Sequence, residues 1–178
     1  MSSSDQYDLD DDLYDDDEDT QKDKYLTFRI ASEDYGIAIA NVTEIIGIQS
    51  ITEIPEMPDY IKGVINLRGK VIPVMDVRLR FKLPPREYDE RTCIIVVEID
   101  TTSVGLVVDT VNEVADIPEE QVEPAPKSKH KGGNYIQGLG KIGQEVKILL
   151  DINKVLDNCD VSVIDDLSGE EAVLDLEN

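Results

Sequence analysis

Hydrophobic and polar positions alternate along this chain in short runs. From about residue 24 to residue 156 the runs are rich in β-branched residues and are bounded by glycine, proline and charged turns, as around residues 25–30. Such runs predict short strands joined by tight turns. The expected fold class is therefore all-β, mainly strands with short helices, built from small closed or sandwiched β units.

The pattern occurs twice. The motif Tyr60–Gly63 returns later in the chain as Tyr135–Gly138, and Gly36–Ile39 returns at a slightly shorter offset as Gly105–Val108. A third match pairs Ile54–Glu56 with Ile117–Glu119. Because the matches keep their order, the chain is predicted to contain an internal duplication. Pro84-Pro85 is the candidate boundary between lobe one, about 23–86, and lobe two, about 87–157.

Several local elements follow from the same pattern. The dipeptide Arg68-Gly69 is predicted to form the turn of a β-hairpin, and Asn41 is a candidate N-cap of a short helix over residues 41–46. Pro73 cannot donate a hydrogen bond to a neighbouring strand, so its strand is expected at a sheet edge or at a bulge. Asp76 and Asp151 occupy equivalent positions and are expected to cap the short helices that follow them.

The formal charge of -22 is unevenly distributed. Residues 1–19 carry ten acidic residues and residues 157–178 carry eight, without any Lys or Arg, which leaves 21 acidic residues against all 17 basic ones in the body. We therefore expect a disordered acidic arm over 1–22, a domain over 23–157 and an acidic tail over 158–178. An interaction tail and a simple solubility role are both open for the arm.

The residues that catalysis requires are scarce. The single histidine, His130, lies in a lysine-rich loop, and the two cysteines, Cys93 and Cys159, are far apart and form no metal-binding spacing. The glycines of 138–143 precede a strand pattern rather than a helix, which argues against a dinucleotide site. We expect no enzyme activity, metal or cofactor. Nucleic acid is disfavoured by the negative charge, and no apolar run is long enough to predict direct membrane insertion.

One segment is specific enough to suggest a family. Residues 61–78, centred on Asn66-Leu67-Arg68-Gly69, closely resemble the characteristic motif of the CheW family, the coupling proteins of bacterial chemotaxis. The supporting stretches are Val42–Ile45, Val104–Asp109 and Tyr135–Gly140. The resemblance covers about 24–156 and neither acidic end. It implies two SH3-like five-stranded β-barrel subdomains in one CheW-like domain, without catalytic activity.

The resemblance also implies partners and binding residues. Members of this family couple the cytoplasmic tips of transmembrane chemoreceptors to the histidine kinase CheA through its CheW-like regulatory domain. Such an adaptor is cytoplasmic and is recruited to membrane-associated receptor arrays. The positions that match the family's receptor-contacting residues are Val42, Glu44, Gly63 and Arg68. Candidates for contact with the kinase are Ile46, Ile48 and Gly105.

Each candidate also has a purely structural interpretation. Arg68 could be an ordinary turn residue, Glu44 a capping carboxylate, Gly63 a bulge residue, Val42 a core residue, and Gly105 a turn requirement. Three functions remain open at this point. The leading one is the chemotaxis adaptor, the second is a CheW-like adaptor of a paralogous motility or second-messenger pathway, and the third is a hydrolase or nucleic-acid-binding barrel.

Overall fold

The computed structural model describes residues 21–125 and 135–156, which are almost entirely β-structure. The acidic arm up to residue 20, the loop of His130 and the acidic tail lie outside the described residues. The eleven strands of the described part are β1 (Lys24–Ile30), β2 (Glu33–Ala38), β3 (Val42–Gly47), β4 (Ile61–Leu67), β5 (Lys70–Asp76), β6 (Cys93–Ile99), β7 (Thr102–Val108), β8 (Thr110–Asp116), β9 (Val122–Pro124), β10 (Ile136–Ile142) and β11 (Glu145–Leu150). Two single-turn helices, α1 (Val77–Arg80) and α2 (Ile152–Val155), follow β5 and β11, and two 3-10 turns span Ile39–Asn41 and Glu119–Gln121.

The strands form two sheets, which confirms the predicted fold class. One sheet has six strands in the order β8-β1-β2-β11-β10-β9, and the other has five in the order β3-β6-β7-β5-β4. We call the first sheet with α2 the six-stranded unit and the second sheet with α1 the five-stranded unit. The extra strand is β9. Its counterpart in the five-stranded unit is a single residue, Thr52, which forms an antiparallel bridge with Val64 on β4.

The two units do not coincide with the two predicted lobes, 23–86 and 87–157. The hairpin β1–β2 belongs to the sheet that contains β8 to β11, and the hairpin β6–β7 belongs to the sheet that contains β3 to β5. Each copy of the duplicated sequence therefore gives one hairpin to the other copy. The exchanged hairpins join their new sheets through parallel pairs, β2 with β11 and β5 with β7. Pro84-Pro85 ends the first sequence copy but does not separate the sheets.

The predicted offsets are confirmed except in one place. The bulge between Ile61 and Gly63 on β4 has its counterpart between Ile136 and Gly138 on β10, at the same offset as the sequence motif. The predicted match of Ile54–Glu56 with Ile117–Glu119 is wrong in structural terms. Ile54 follows the Thr52 bridge, whereas Ile117 precedes β9, which is the equivalent of that bridge.

Two local predictions also need correction. Residues 42–46 are not helical, because they lie in β3, and its pairing with β6 outweighs the capping signal of Asn41, which instead ends a 3-10 turn. Of the two alternatives for Pro73, the sheet edge is wrong, since β5 is flanked by β4 and β7. A bulge does lie next to it, on β4 between Ile61 and Gly63, opposite Met75 and Val74. The missing N–H of Pro73 is accommodated because the pairing with β7 begins one residue later, at Val74. The hairpin turn at Arg68-Gly69 is confirmed.

The buried side chains of the described residues form three clusters. One lies in the six-stranded unit around Ile117 and Leu149, and a second lies in the five-stranded unit around Ile65, Val74 and Ile94. The largest cluster combines residues from both units, including Phe28 of β1, Met75 of β5 and Leu106 of β7. Because this shared core is the largest, neither unit could keep its apolar surface buried without the other.

Candidate functional site

Arg68 lies at the tip of the β4–β5 hairpin in an unusual backbone conformation. Its φ is 54°, and that of Gly69 is 86°. Positive φ at both central residues defines a type I′ turn, which matches the twist of the flanking strands and strongly favours Asn or Gly. Asn66 supports the turn, because its side-chain Oδ1 accepts a hydrogen bond from the N–H of Gly69 at 2.8 Å. An arginine is costly at this position, and strain of this kind often marks a functional residue.

The side chain of Arg68 makes a two-pronged contact with Glu44. Nη2 donates to Oε1 at 2.7 Å, and Nη1 donates to Oε2 at 3.2 Å. The two residues come from opposite edges of the five-stranded sheet, since Glu44 lies on β3 and Arg68 follows β4. Their side chains are 32 % and 67 % exposed. The structure thus brings two of the predicted receptor-binding residues together on an accessible surface, with the arginine head held in a fixed orientation.

Val42 begins the same strand as Glu44 but packs differently. A register shift in the pairing with β6 separates the two residues. Val42 is half-buried and packs against the core shared by the two units. It can therefore support the position of β3, the strand that carries Glu44.

Gly63 is buried, and its conformation is required by the chain itself. Its φ is 142°, and a Cβ atom placed on it would lie 1.9 Å from the carbonyl oxygen of Thr52. The absence of a side chain at Gly63 allows the backbone of Thr52 to approach closely. Thr52 donates its N–H to the carbonyl of Val64 at 2.8 Å, and its carbonyl accepts from the N–H of Val64 at 2.9 Å. These two hydrogen bonds join the segment after β3 to β4 and so close the five-stranded sheet on itself.

The candidates for kinase contact lie mostly inside the five-stranded unit. Ile46 and Ile48 are half-buried and pack against its core. Gly105 is buried in the central strand β7, where an added Cβ would lie 2.7 Å from Cγ2 of Ile94. The large apolar residue of β3 that points outwards is Ile45, which is 43 % exposed. The period-2 alternation of β3 could have identified Ile45, but the prediction of a helix concealed it.

Asp76 and Asp151 cap the helices as predicted. The Asp76 side chain accepts from the N–H of Leu79 and that of Asp151 accepts from the N–H of Asn153. Asp76 differs from its counterpart in being buried, and its Oδ2 also accepts a hydrogen bond from the hydroxyl of Tyr88 at 2.7 Å. Burial, together with this hydrogen bond and the charge of Asp76, raises the pKa of Tyr88 above its usual range.

This contact predicts a pH dependence. Above pH about 10 an unfolded tyrosine ionises while the folded Tyr88 keeps its proton, so the free energy of unfolding should fall as the pH rises. The variant Tyr88→Phe lacks this proton and should be less stable near neutral pH, because Asp76 loses a donor. Urea unfolding at several pH values should show the gap between the two proteins narrowing from about pH 9 upwards. A gap that does not vary with pH would contradict this.

A second charged group links strands of the six-stranded sheet. Lys147 on β11 is buried and donates to Asp34 on β2 at 2.8 Å, and Arg29 on β1 donates to the same carboxylate at 3.0 Å. Burial alone would raise the pKa of Asp34, but the hydrogen bonds from these two cations outweigh it and lower the pKa. The group is fully paired and serves to hold the exchanged hairpin β1–β2 against β11.

Within the described residues, no group of three or more His, Cys, Asp or Glu side chains is placed to bind a metal ion. In the same part of the chain, none of the helices has the length and apolar character needed to cross a membrane.

Comparison with known proteins identifies the family. The sequence model of the protein family described as the CheW-like domain matches residues 24–160. A chemotaxis protein CheW of Klebsiella aerogenes is 39 % identical over 146 residues, which is 82 % of this chain and 88 % of that protein. The Bacillus subtilis chemotaxis protein CheW is 36 % identical over 135 residues, covering 75 % and 86 %. The crystal structure of the scaffolding protein TtCheW from Thermoanaerobacter tengcongensis superposes with a TM-score of 0.72 at 37 % identity, covering 78 % of this chain and 94 % of that one. Since the match spans both units and includes the Arg68 hairpin, this chain belongs to the CheW family.

Proposed function

We propose that this protein is a non-catalytic adaptor of bacterial chemotaxis, which couples transmembrane chemoreceptors to the histidine kinase CheA through the kinase's CheW-like regulatory domain. The observation that carries the proposal is the Arg68–Glu44 pair, held at an exposed hairpin tip in a chain of the CheW family. The protein would act in the cytoplasm and be recruited to membrane-associated receptor arrays.

The receptor-binding surface in this proposal is centred on Arg68. A guanidinium held by Glu44 is already ordered before the partner arrives, so less conformational entropy is lost on binding. It can still donate to carbonyls or carboxylates of a receptor helix, because two thirds of the side chain is exposed. Glu44 orients Arg68, and Val42 and Gly63 support the surface from beneath. Gly63 therefore contributes by closing the sheet rather than by touching the receptor.

For the kinase, we propose that the exposed parts of Ile46 and Ile48 contribute apolar contact area. Gly105 would act only indirectly, since it is enclosed by Ile94 and Val74. Two faces that each bind one partner with modest affinity are sufficient in an array, because many linked copies provide avidity.

The variant Arg68→Asn separates the role of this residue in binding from its role in folding. Asparagine suits a type I′ turn better than arginine, so the fold should be equally stable or slightly more stable. Exposed ion pairs such as that with Glu44 contribute at most about 1 kcal/mol. Loss of an interface arginine often costs about 2 kcal/mol, so binding to a chemoreceptor cytoplasmic fragment should weaken at least about tenfold in calorimetry.

Two comparisons make this experiment decisive. Binding to the kinase regulatory domain should be unchanged in Arg68→Asn, and Arg91→Asn, which removes an exposed arginine elsewhere, should leave receptor binding unchanged. An equal loss of affinity for both partners would show that Arg68 does not define a receptor-binding surface. If the wild-type protein binds neither partner, the chemotaxis assignment fails, and a paralogous motility or second-messenger pathway becomes the better proposal.

A further inference from the structure

One arginine lies between the two units and contacts both of them. Arg80 is the last residue of α1, in the five-stranded unit. Its guanidinium carbon is 5.2 Å from the ring centroid of Tyr60 and 5.3 Å from that of Tyr135. Its Nε donates a hydrogen bond at 3.0 Å to the carbonyl of Val155, the last residue of α2 in the six-stranded unit.

The contacts of Arg80 are made to equivalent points of the duplication. Tyr60 and Tyr135 are separated along the chain by the same offset as Arg80 and Val155. The carbonyl of Tyr60 accepts from the N–H of Asp76 at 2.7 Å, and that of Tyr135 accepts from the N–H of Asp151 at 2.9 Å. The backbone of each tyrosine is thereby joined to the end of β5 or to the residue that follows β11. The near-equal distances place the guanidinium midway between the two rings. One side chain therefore contacts a tyrosine from each copy of the duplication.

The surrounding contacts are mostly apolar. Phe81 stacks on Tyr135 with a centroid distance of 5.0 Å, and Tyr35 packs on Phe81 at 5.5 Å. Apolar contacts of this kind hold the units together but have little directional preference. A planar guanidinium between two rings, with a hydrogen bond to a fixed carbonyl, is directional. Together with the hydrogen bonds that Asp109 accepts from Ala31 of the six-stranded unit and from Arg78 of the five-stranded unit, it constrains the angle at which the units meet.

We propose that Arg80 is a positioning residue that fixes the angle between the two units, and that this fixed angle is required for control of the kinase by the receptor. The second part rests on the adaptor function proposed above. An adaptor with a loose junction can still bind both partners. It cannot couple them, because occupation of one face would no longer change the free energy of binding at the other.

The angle can be measured directly from backbone N–H residual dipolar couplings of the full chain. In the wild-type protein one alignment tensor should fit the couplings of both units. In Arg80→Leu each unit should still fit well alone, but the joint fit should fail. Lys154→Leu removes a cation from α2 without touching either tyrosine and should behave as wild type. Arg80→Lys keeps the charge but loses the planar guanidinium, so the quality of its joint fit should lie between those of wild type and Arg80→Leu.

The functional part is tested with the same variants in a complex with a chemoreceptor fragment and CheA. Arg80→Leu should bind the receptor fragment within about twofold of wild type, while the receptor-dependent change in kinase autophosphorylation falls about fivefold or more. A joint fit as good as that of wild type would overturn the positioning role. Altered couplings with unchanged kinase control would overturn the requirement for a fixed angle.

The outcomes of the two proposals are distinguishable. If the wild-type protein does not couple the kinase to the receptor, the adaptor function fails, while the dipolar couplings still decide the role of Arg80. Should Arg80→Leu not fold, Arg80→Lys takes its place, because it keeps the charge and length of the side chain and tests only the directional contact with Val155.

Discussion

Replacing Gly63 by alanine is expected to destabilise the protein by at least about 3 kcal/mol or to prevent folding. The added Cβ would lie 1.9 Å from the carbonyl oxygen of Thr52 and 2.7 Å from its carbonyl carbon. Both are backbone atoms that cannot move without breaking the bridge to Val64. A φ of 142° would strain alanine even if space were available. Urea unfolding monitored by circular dichroism would measure the loss.

Two other glycines provide matched controls for this prediction. Gly69 has a positive φ of 86° but open space around it, so Gly69→Ala should cost only the conformational strain, about 1–2 kcal/mol. Gly47 has neither strain nor a neighbour within 4 Å, so Gly47→Ala should be neutral or slightly stabilising. If Gly63→Ala were as stable as Gly47→Ala yet bound receptor poorly, Gly63 would instead be a direct contact residue.

Replacing Asp109 by alanine is expected to cost about 3 kcal/mol. Its Oδ2 accepts hydrogen bonds from the N–H of Ala31 at 2.8 Å, from Arg78 at 3.2 Å and from Arg86 at 3.3 Å. The side chains of Asp109 and Arg78 are only 9 % and 16 % exposed. Without the carboxylate, the nearly buried charge of Arg78 would lose its counterion, and the turn after β1 would lose its acceptor.

The position of Asp109 explains why the effect should be large. The residue joins β7 of the five-stranded unit to β8 of the six-stranded unit. The groups that donate hydrogen bonds to it come from the β1–β2 turn, from α1 and from the linker after α1. Asp109→Asn keeps an acceptor and should lose less stability. Asp116→Ala removes an exposed partner of Lys24 and should change stability by no more than about 0.5 kcal/mol. Equal losses for Asp109→Ala and Asp116→Ala would refute the argument.

The features predicted correctly are those that depend on residues close together in the sequence or on a repeated pattern. The strands, the hairpin turn at Arg68-Gly69, the caps at Asp76 and Asp151 and the duplication all leave local or periodic marks, and all are confirmed. The helix predicted over 41–46 shows the limit of such marks. Asn41 and Glu44 form a plausible cap, but β6, which is distant in the sequence, provides a ladder of hydrogen bonds that a short helix cannot match.

The candidate site was predictable in composition but not in geometry. The motif placed Arg68 and Glu44 among the candidate binding residues, yet nothing in the sequence shows that they form a pair, because their strands lie at opposite edges of one sheet. Gly63 could be recognised as special, but the backbone of Thr52 that requires it is a tertiary neighbour. The exchange of hairpins was also hidden, since a duplicated sequence is equally compatible with two separate lobes.

The exchange of hairpins has a consequence for how the chain acquires its structure. Within the first copy, the only strand pairs are β1 with β2 and β4 with β5. The remaining partners are in the second copy: β1 also pairs with β8, β3 with β6 and β2 with β11. During synthesis, the first copy must remain incomplete until nearly the whole domain has left the ribosome, and folding should be slow for a protein of this size. Fragments cut at Pro84-Pro85 should each fail to fold alone and regain structure only when mixed.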